Sequence, residues 1–147
     1  MATEHLTIGQ LAAQTGTRVQ TIRYYEQVGL MLVPPRTEGN QRRYRPQDLE
    51  RLAFIRHGRE LGFSLEAIRQ LLQLGDQPDR SCAAVDSIAR HHLQQVRSRM
   101  TRLKALEAEL QRMIGQCRRR RIADCRVIEV LADHVHCLAD HRPEQAM

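Results

Sequence analysis

The chain has 147 residues, 23 Lys and Arg against 17 Asp and Glu, and a formal charge of +6. That length suits one small domain or two minimal ones, and leaves too little chain for one large core beside any long exposed helix. The positive balance favours nucleic acid or another polyanion as partner, while the lack of a bilayer-length apolar run, a signal peptide and a catalytic signature argues against a membrane protein, a secreted protein and the common enzymes.

A cytoplasmic location is therefore expected. In that reducing compartment the four cysteines read as thiols or metal ligands rather than structural disulfides.

In chain order, Leu6, Ile8, Leu11 and Ala12 have helical spacing from about Thr7, and the helix stops at Gly16. A second helix runs through Val19, Ile22, Tyr25 and Val28, with Thr17 as the expected N-cap and Gly29 as the C-terminal stop. Two short helices joined by a tight turn form a helix-turn-helix pattern. The second helix carries Arg18, Gln20, Thr21, Arg23 and Tyr24, residue types that reach base edges and phosphates when a helix lies in the major groove. Pro34 and Pro35 then enforce an extended passage. Two strand-capable arms follow around a turn at Gly39-Asn40, a hairpin wing that carries Arg36, Arg42, Arg43 and Tyr44. Phosphate contacts from such a wing would anchor the helix in its groove. Tyr25 is expected in the core and Tyr44 on the DNA side.

Leu49, Leu52, Ala53 and Ile55 continue a helix that ends at Leu61-Gly62, and Ser64 caps another with Leu65, Ile68, Leu71 and Leu72 on its apolar face. Arg56 or His57 is placed to touch phosphate, His57 more simply as part of a solvated face. The segment Gly75 to Asp79 breaks the helix and puts Ser81-Cys82 at the start of the next.

From Cys82, steps of three and four residues land on Val85, Ala89, His92, Val96, Arg99, Leu103, Leu106, Leu110, Met113 and Cys117, a heptad seam interrupted mainly at His92 and Arg99. A continuous helix would hold its two terminal thiols about 50 Å apart, so one chain cannot close a site between them. Antiparallel pairing with a second chain, about an axis near Arg99 and Met100, brings Cys82 of one level with Cys117 of the other. Cys117 and Cys125 enclose Arg118 to Asp124, a loop able to fold around one ion, and a short helix follows. Three soft thiolates suit cadmium, lead, mercury or zinc, the last usually seeking a fourth ligand. His134, His136 and Cys137, with Asp140 and His141 beyond, could supply an accessory ligand or remain a polar tail. The arginines Arg118 to Arg121 read as a solvated run, or as cations that offset the charge of the thiolates.

The stretches LTIGQLAAQTG, VQTIRYYEQVGL, EGNQRRY and PQDLERLAFIRHGRELGFSLEAIRQLL, followed by the seam with Cys82, Cys117 and Cys125, resemble the mercury-resistance regulator (MerR) family of winged-helix transcription factors over roughly residues 6 to 132. The resemblance implies a homodimer that binds a pseudo-palindromic double-stranded promoter and activates metal efflux or detoxification genes by distorting DNA so that RNA polymerase engages both promoter elements. It implies helix contacts from Arg18, Thr21, Arg23 and Tyr24, and wing contacts from Arg42, Arg43 and Tyr44. A cysteine at position 82 looks like the mark of a divalent sensor (Cd2+, Pb2+, Zn2+ or Hg2+) within the family. The Cys117 to Cys125 spacing matches the copper-type loop, so a Cu(I), Ag(I) or Au(I) regulator stays open as the alternative, with an organic-ligand or redox sensor behind it.

The expected fold is mainly α: a winged helix-turn-helix head with connector helices over 1-74, a linker at 75-80, a long antiparallel coiled-coil dimerisation helix over 81-118, a metal-binding loop and short helix over 117-137, and a flexible tail over 138-147.

Overall fold

The computed structural model describes residues 5–116 and 121–133. The chain divides into two units, residues 1–85 and 86–147.

The first unit holds four helices. α1 (Ile8–Thr15) opens on a capping box: the Thr7 hydroxyl accepts from the Gln10 N–H at 3.2 Å, and the Gln10 side chain accepts from the Thr7 N–H at 2.9 Å. It closes on Gly16, whose φ of 62° is the left-handed conformation that a glycine adopts without a Cβ penalty. α2 (Val19–Gln27) begins one residue later than expected, with Arg18 rather than Thr17 at its N-cap. The Thr17 N–H is still donating back to Ala12 at the end of α1, and it is the Arg18 carbonyl that accepts from Thr21 and Ile22. The turn therefore extends through Thr17. α2 stops before Gly29, at φ 78°.

α3 (Pro46–Glu60) starts with Pro at its first position and a buried Asp48 carboxylate that accepts from the Arg45 N–H at 2.7 Å. α4 (Leu65–Gly75) is capped by Ser64, whose hydroxyl accepts from the Ala67 N–H at 3.1 Å. Gly58 lets the two helices approach: a Cβ there would lie 3.0 Å from the Ile68 side chain. The core forms where the apolar stripes meet, around fully buried Leu11, Ile22, Leu30, Leu52, Ile55 and Ile68. Each such side chain contributes roughly 1.5–3 kcal/mol by leaving water.

Three arginines fasten the connector helices to the ends of the helix-turn-helix. The Arg56 guanidinium donates to the Thr15 carbonyl at the close of α1. Arg69 donates to Val28 at 2.7 Å and Arg51 to Leu30 at 2.6 Å, both just past α2. Helix ends leave carbonyls without intrahelical donors, and cations favour that end of the dipole, so these side chains complete two helices while fixing their directions. Gly16→Ala should be costly for two reasons: the left-handed backbone disfavours a Cβ by roughly 1–2 kcal/mol, and the added methyl displaces the mobile end of Arg56 from its bond to the Thr15 carbonyl. A drop of about 2–3 kcal/mol in urea unfolding followed by circular dichroism is expected.

The wing is present as a turn with minimal pairing. Arg36 and Arg42 form one antiparallel bridge, and Leu6 and Tyr44 a second, with N–H to carbonyl distances of 2.8 Å in both directions between Leu6 and Tyr44. The turn at Gly39-Asn40 falls where the sequence puts it. Asn40 has φ 61°, and its side chain accepts from Arg36 at 2.9 Å. Two short strand-capable arms were expected, and among the described residues they form only isolated bridges, the first arm bonding the second around Arg42 and the segment before α1 bonding it at Tyr44.

α5 (Ala83–Gln116), a single helix of 34 residues, begins at the end of the first unit and makes up most of the described residues of the second. A 3-10 turn at Ile122–Asp124 and the short α6 (Arg126–Ala132) follow. Glu109, Met113 and Val130 are buried in this unit, Glu109 as the ion-pair partner of Arg112. Leu93, Met100, Leu103, Leu110 and Ile114 of α5 are all 45% exposed or more. Among the described residues no helix is long and apolar enough to cross a membrane.

Candidate nucleic-acid interface and thiol positions

The apolar stripe of α2 turns Ile22 and Tyr25 inward, and this alone decides what the opposite face presents. Arg18, Gln20, Arg23 and Tyr24 are exposed, Tyr24 at 48% and tilted against Tyr25 with ring centroids 6.0 Å apart. Thr21 is half-buried. On the wing, Arg36 and Arg43 are exposed.

Two basic clefts adjoin α2. One, of about 550 Å3, lies between the start of α1, Arg23 and the wing residues Arg36, Asn40, Gln41 and Arg42. The other, of about 530 Å3, is lined by Arg18, Thr21, Arg56 and Arg59 beside the helix-turn-helix corner. Arg59 and Gln41 escaped sequence reasoning. Arg59 was legible as the residue one helical step beyond Arg56. Arg56 itself serves structure, held by Thr15 and by Glu60 at 2.9 Å, and His57 is exposed.

Tyr44 corrects the sequence reading. Expected on the DNA side, it is fully buried, and its hydroxyl donates to Glu26 of α2. An aromatic ring that occupies the junction between wing and core has no surface left for a nucleic acid. The same carboxylate accepts from Arg42 at 2.5 Å, through its other oxygen. Arg42 keeps a side-chain exposure of 26%, and Glu26 only 3%. Arg42 is thus a half-buried, paired cation rather than a free one.

Burial, and then the Glu26 acceptor, push the Tyr44 hydroxyl up to about 12, against a smaller opposing influence from Arg42. Because this lies above the ordinary value of 10.0, the stability the protonated hydroxyl contributes is intact below pH 10 and is lost as pH rises through 12. An absorbance titration should show one tyrosine ionising near pH 12, together with loss of helical circular dichroism.

Cys82 is exposed, one residue ahead of α5. Cys125 is half-buried at the N-cap of α6; its N–H donates to Ile122 and its carbonyl accepts from Glu129, both at 3.0 Å. Cys117, Arg118 to Arg120, His134, His136, Cys137, Asp140 and His141 lie outside the described residues. Among the described residues no group of three or more His, Cys, Asp or Glu side chains converges as a metal cluster would.

Known proteins resemble this chain in sequence and in fold. Residues 6–74 match the model of the MerR HTH family regulatory proteins, and residues 49–113 match a MerR DNA-binding model. The chain is 41% identical over 118 residues to the mercuric resistance operon regulatory protein of Pseudomonas fluorescens, covering 80% of this chain and 81% of that one. It is 43% identical over 111 residues to the HTH-type transcriptional regulator ZntR of Escherichia coli, covering 75% and 79% respectively. Among solved structures, a transcription regulator from Ralstonia metallidurans in complex with lead(II) aligns with a TM-score of 0.75 and 40% identity, over 86% of this chain and 98% of that chain.

Proposed function

This chain belongs to the MerR family of HTH regulatory proteins, and on that premise we propose that it is a cytoplasmic, homodimeric transcription regulator that responds to a divalent soft metal ion, Cd2+, Pb2+, Zn2+ or Hg2+. Its targets are metal efflux or detoxification genes. The observation that carries the reading is the union in one chain of a basic helix-and-wing head with thiols just before α5 and at the start of α6.

In this reading α2 enters the major groove and presents Arg18, Gln20, Arg23 and Tyr24, with Thr21 at the cleft beside it, to bases and phosphates. Arg36 and Arg43 of the wing supply phosphate contacts that fix the register, with Arg42 beside them held by Glu26. Two heads related by a two-fold axis read two half-sites of an inverted repeat. The exposed apolar residues along α5, among them Met100, Leu103 and Leu110, supply the face that a partner helix covers.

Cys82, Cys117 and Cys125 would hold the ion, Cys82 coming from the partner subunit. The donor chemistry fits: thiolate sulfur is soft, and both described thiols are at least partly accessible. When bound, the ion supplies a divalent charge that ties thiolates of two chains together. His134, His136 and Cys137 are assigned an accessory role at most. Whichever arrangement of heads the thiols favour when tied is the one that gains population, and the same coupling must alter DNA geometry. The dimer stays on its promoter and changes the DNA path so that RNA polymerase engages both elements.

Two measurements test the proposal together: binding of the dimer to an inverted-repeat promoter, and transcription from that promoter as zinc, cadmium, lead, mercury or copper(I) is titrated. Promoter-specific binding with activation by at least one of the divalent ions is expected. A response to copper(I) alone would contradict the divalent assignment, and the absence of sequence preference would contradict the regulator reading.

A further inference from the structure

Among its described residues the head buries two carboxylates, and while Asp48 caps its own helix, Glu26 bonds to a different element of the fold. Glu26 lies on the same stripe of α2 as Ile22, four residues on, and its side chain is 3% exposed. A charge at such a depth is costly unless paired. It is paired twice, and both partners come from the same arm of the wing: Arg42 on one oxygen and the Tyr44 hydroxyl on the other. Residues two apart on an extended arm point the same way, so Arg42 and Tyr44 face Glu26 together while Arg43 faces away. Apart from the Leu6–Tyr44 bridge at its base, the backbone bonds of the wing run within the wing itself and do not set its distance from α2.

We propose that Glu26 is a positioning residue for DNA recognition: by gripping Arg42 and Tyr44 at once, it locks the wing at a fixed distance from α2, and it cancels the charge of Arg42 so that phosphate attraction on the wing comes from Arg36 and Arg43. The inference rests on the regulator reading above and adds to it the residue that sets the geometry between its two DNA-contacting elements. The consequence is a specificity device. A rigid helix-wing pair fits one spacing of groove and backbone, whereas a loose wing with an extra cation binds any duplex.

Glu26→Gln tests this, because it preserves shape and an acceptor for Tyr44 but removes the charge. Released Arg42 should act as a new phosphate contact: non-specific DNA binding strengthens, and the salt dependence of binding steepens by about 0.9 in log-log slope. The ratio of specific to non-specific affinity should fall by about tenfold. The double variant Glu26→Gln with Arg42→Gln restores the wild-type charge and should return the salt slope to the wild-type value. Tyr44→Phe keeps both charges and removes one grip, so the ratio should fall with no change of slope. It also serves if Glu26→Gln does not fold.

A salt slope in the double variant lower than wild type by about 0.9 would mean that Arg42 reaches phosphate in the native protein, and would overturn the charge assignment. An unchanged affinity ratio in both Glu26→Gln and Tyr44→Phe would overturn the lock. A readout without DNA separates this inference from the reading it rests on. Amide exchange at Asn40 and Gln41, which donate within the turn to Thr37, should quicken about tenfold in Glu26→Gln as local opening becomes easier. Unchanged exchange would count against the lock, and failure of the wild type to prefer an inverted repeat would count against the regulator reading alone.

Discussion

Cys82→Ser should lower the affinity for cadmium or lead by more than about 100-fold, exceeding the usual effect of disturbing an outer-shell partner of a metal ligand, and should abolish metal-dependent transcription while leaving promoter affinity unchanged. A serine hydroxyl is hard and neutral at pH 7 where a thiolate is soft and anionic, so replacing one of three donors removes both charge and orbital match. The substitution should not disturb folding. Cys82 is exposed ahead of α5, and its neighbour Ser81 carries the local contact, its hydroxyl accepting from the Ala83 N–H at 3.3 Å. Metal titration by competition with a chromophoric chelator, with fluorescence anisotropy on promoter DNA, separates the two effects. Equal metal affinity in the variant would remove Cys82 from the site and return the copper-type alternative, in which that position is not a donor.

Tyr44→Ala should cost about 4 kcal/mol of stability, within the range for truncating a buried aromatic. That is a large share of the roughly 5–15 kcal/mol that keeps a domain folded. The ring is fully buried in the core of the head, and its loss also strips one partner from the buried Glu26 carboxylate. Promoter binding should fall in parallel with the folded fraction. Tyr44→Phe, which keeps the ring, should cost only about 1–2 kcal/mol for the lost hydrogen bond. Urea unfolding monitored by circular dichroism measures both. Wild-type stability in Tyr44→Ala, combined with lost DNA binding, would place the ring at the DNA after all.

Tyr44 also shows what could be read in advance and what could not. Elements whose ends are set by local chemistry were legible: the start of α1 at about Thr7, the Gly16 and Gly29 stops and the Ser64 cap each need only neighbouring residues, and each falls where the sequence puts it, although the Thr7 capping box itself was not foreseen. The N-cap of α2 was not, because the Thr17 N–H is engaged by Ala12 of the preceding helix. Nor was the orientation of the second wing arm, where a run of arginines ending in tyrosine looks uniformly exposed. Two signals were available. Alternation along an extended arm groups Arg42 with Tyr44 against Arg43, and an acid four residues after Ile22 on an apolar helix face calls for a buried cation.

The long seam was legible in extent, since α5 runs unbroken from Ala83 to Gln116. Its detail differs. Leu103 and Leu110 of the expected seam are exposed, and so are Leu93, Met100 and Ile114 beside it, whereas Met113 is buried. A heptad pattern names the stripe a helix offers, but which members of it face a second chain depends on packing that one sequence does not contain. Cys117 lies outside the described residues, so its place in the ion site stays a proposal drawn from its spacing to Cys82 and Cys125.

If each ion site is built from two chains, heterodimers of two differently mutated chains must regain one site. Dimers purified with Cys82→Ser in one chain and Cys125→Ser in the other have one complete site if Cys82 acts across the interface, because the second chain supplies Cys82 and the first supplies Cys117 and Cys125. One tightly bound cadmium ion per heterodimer is expected, at wild-type affinity, with neither mutant homodimer binding tightly. A heterodimer that binds no ion tightly would contradict the two-chain site, since that is the outcome when all three thiols must come from the same chain.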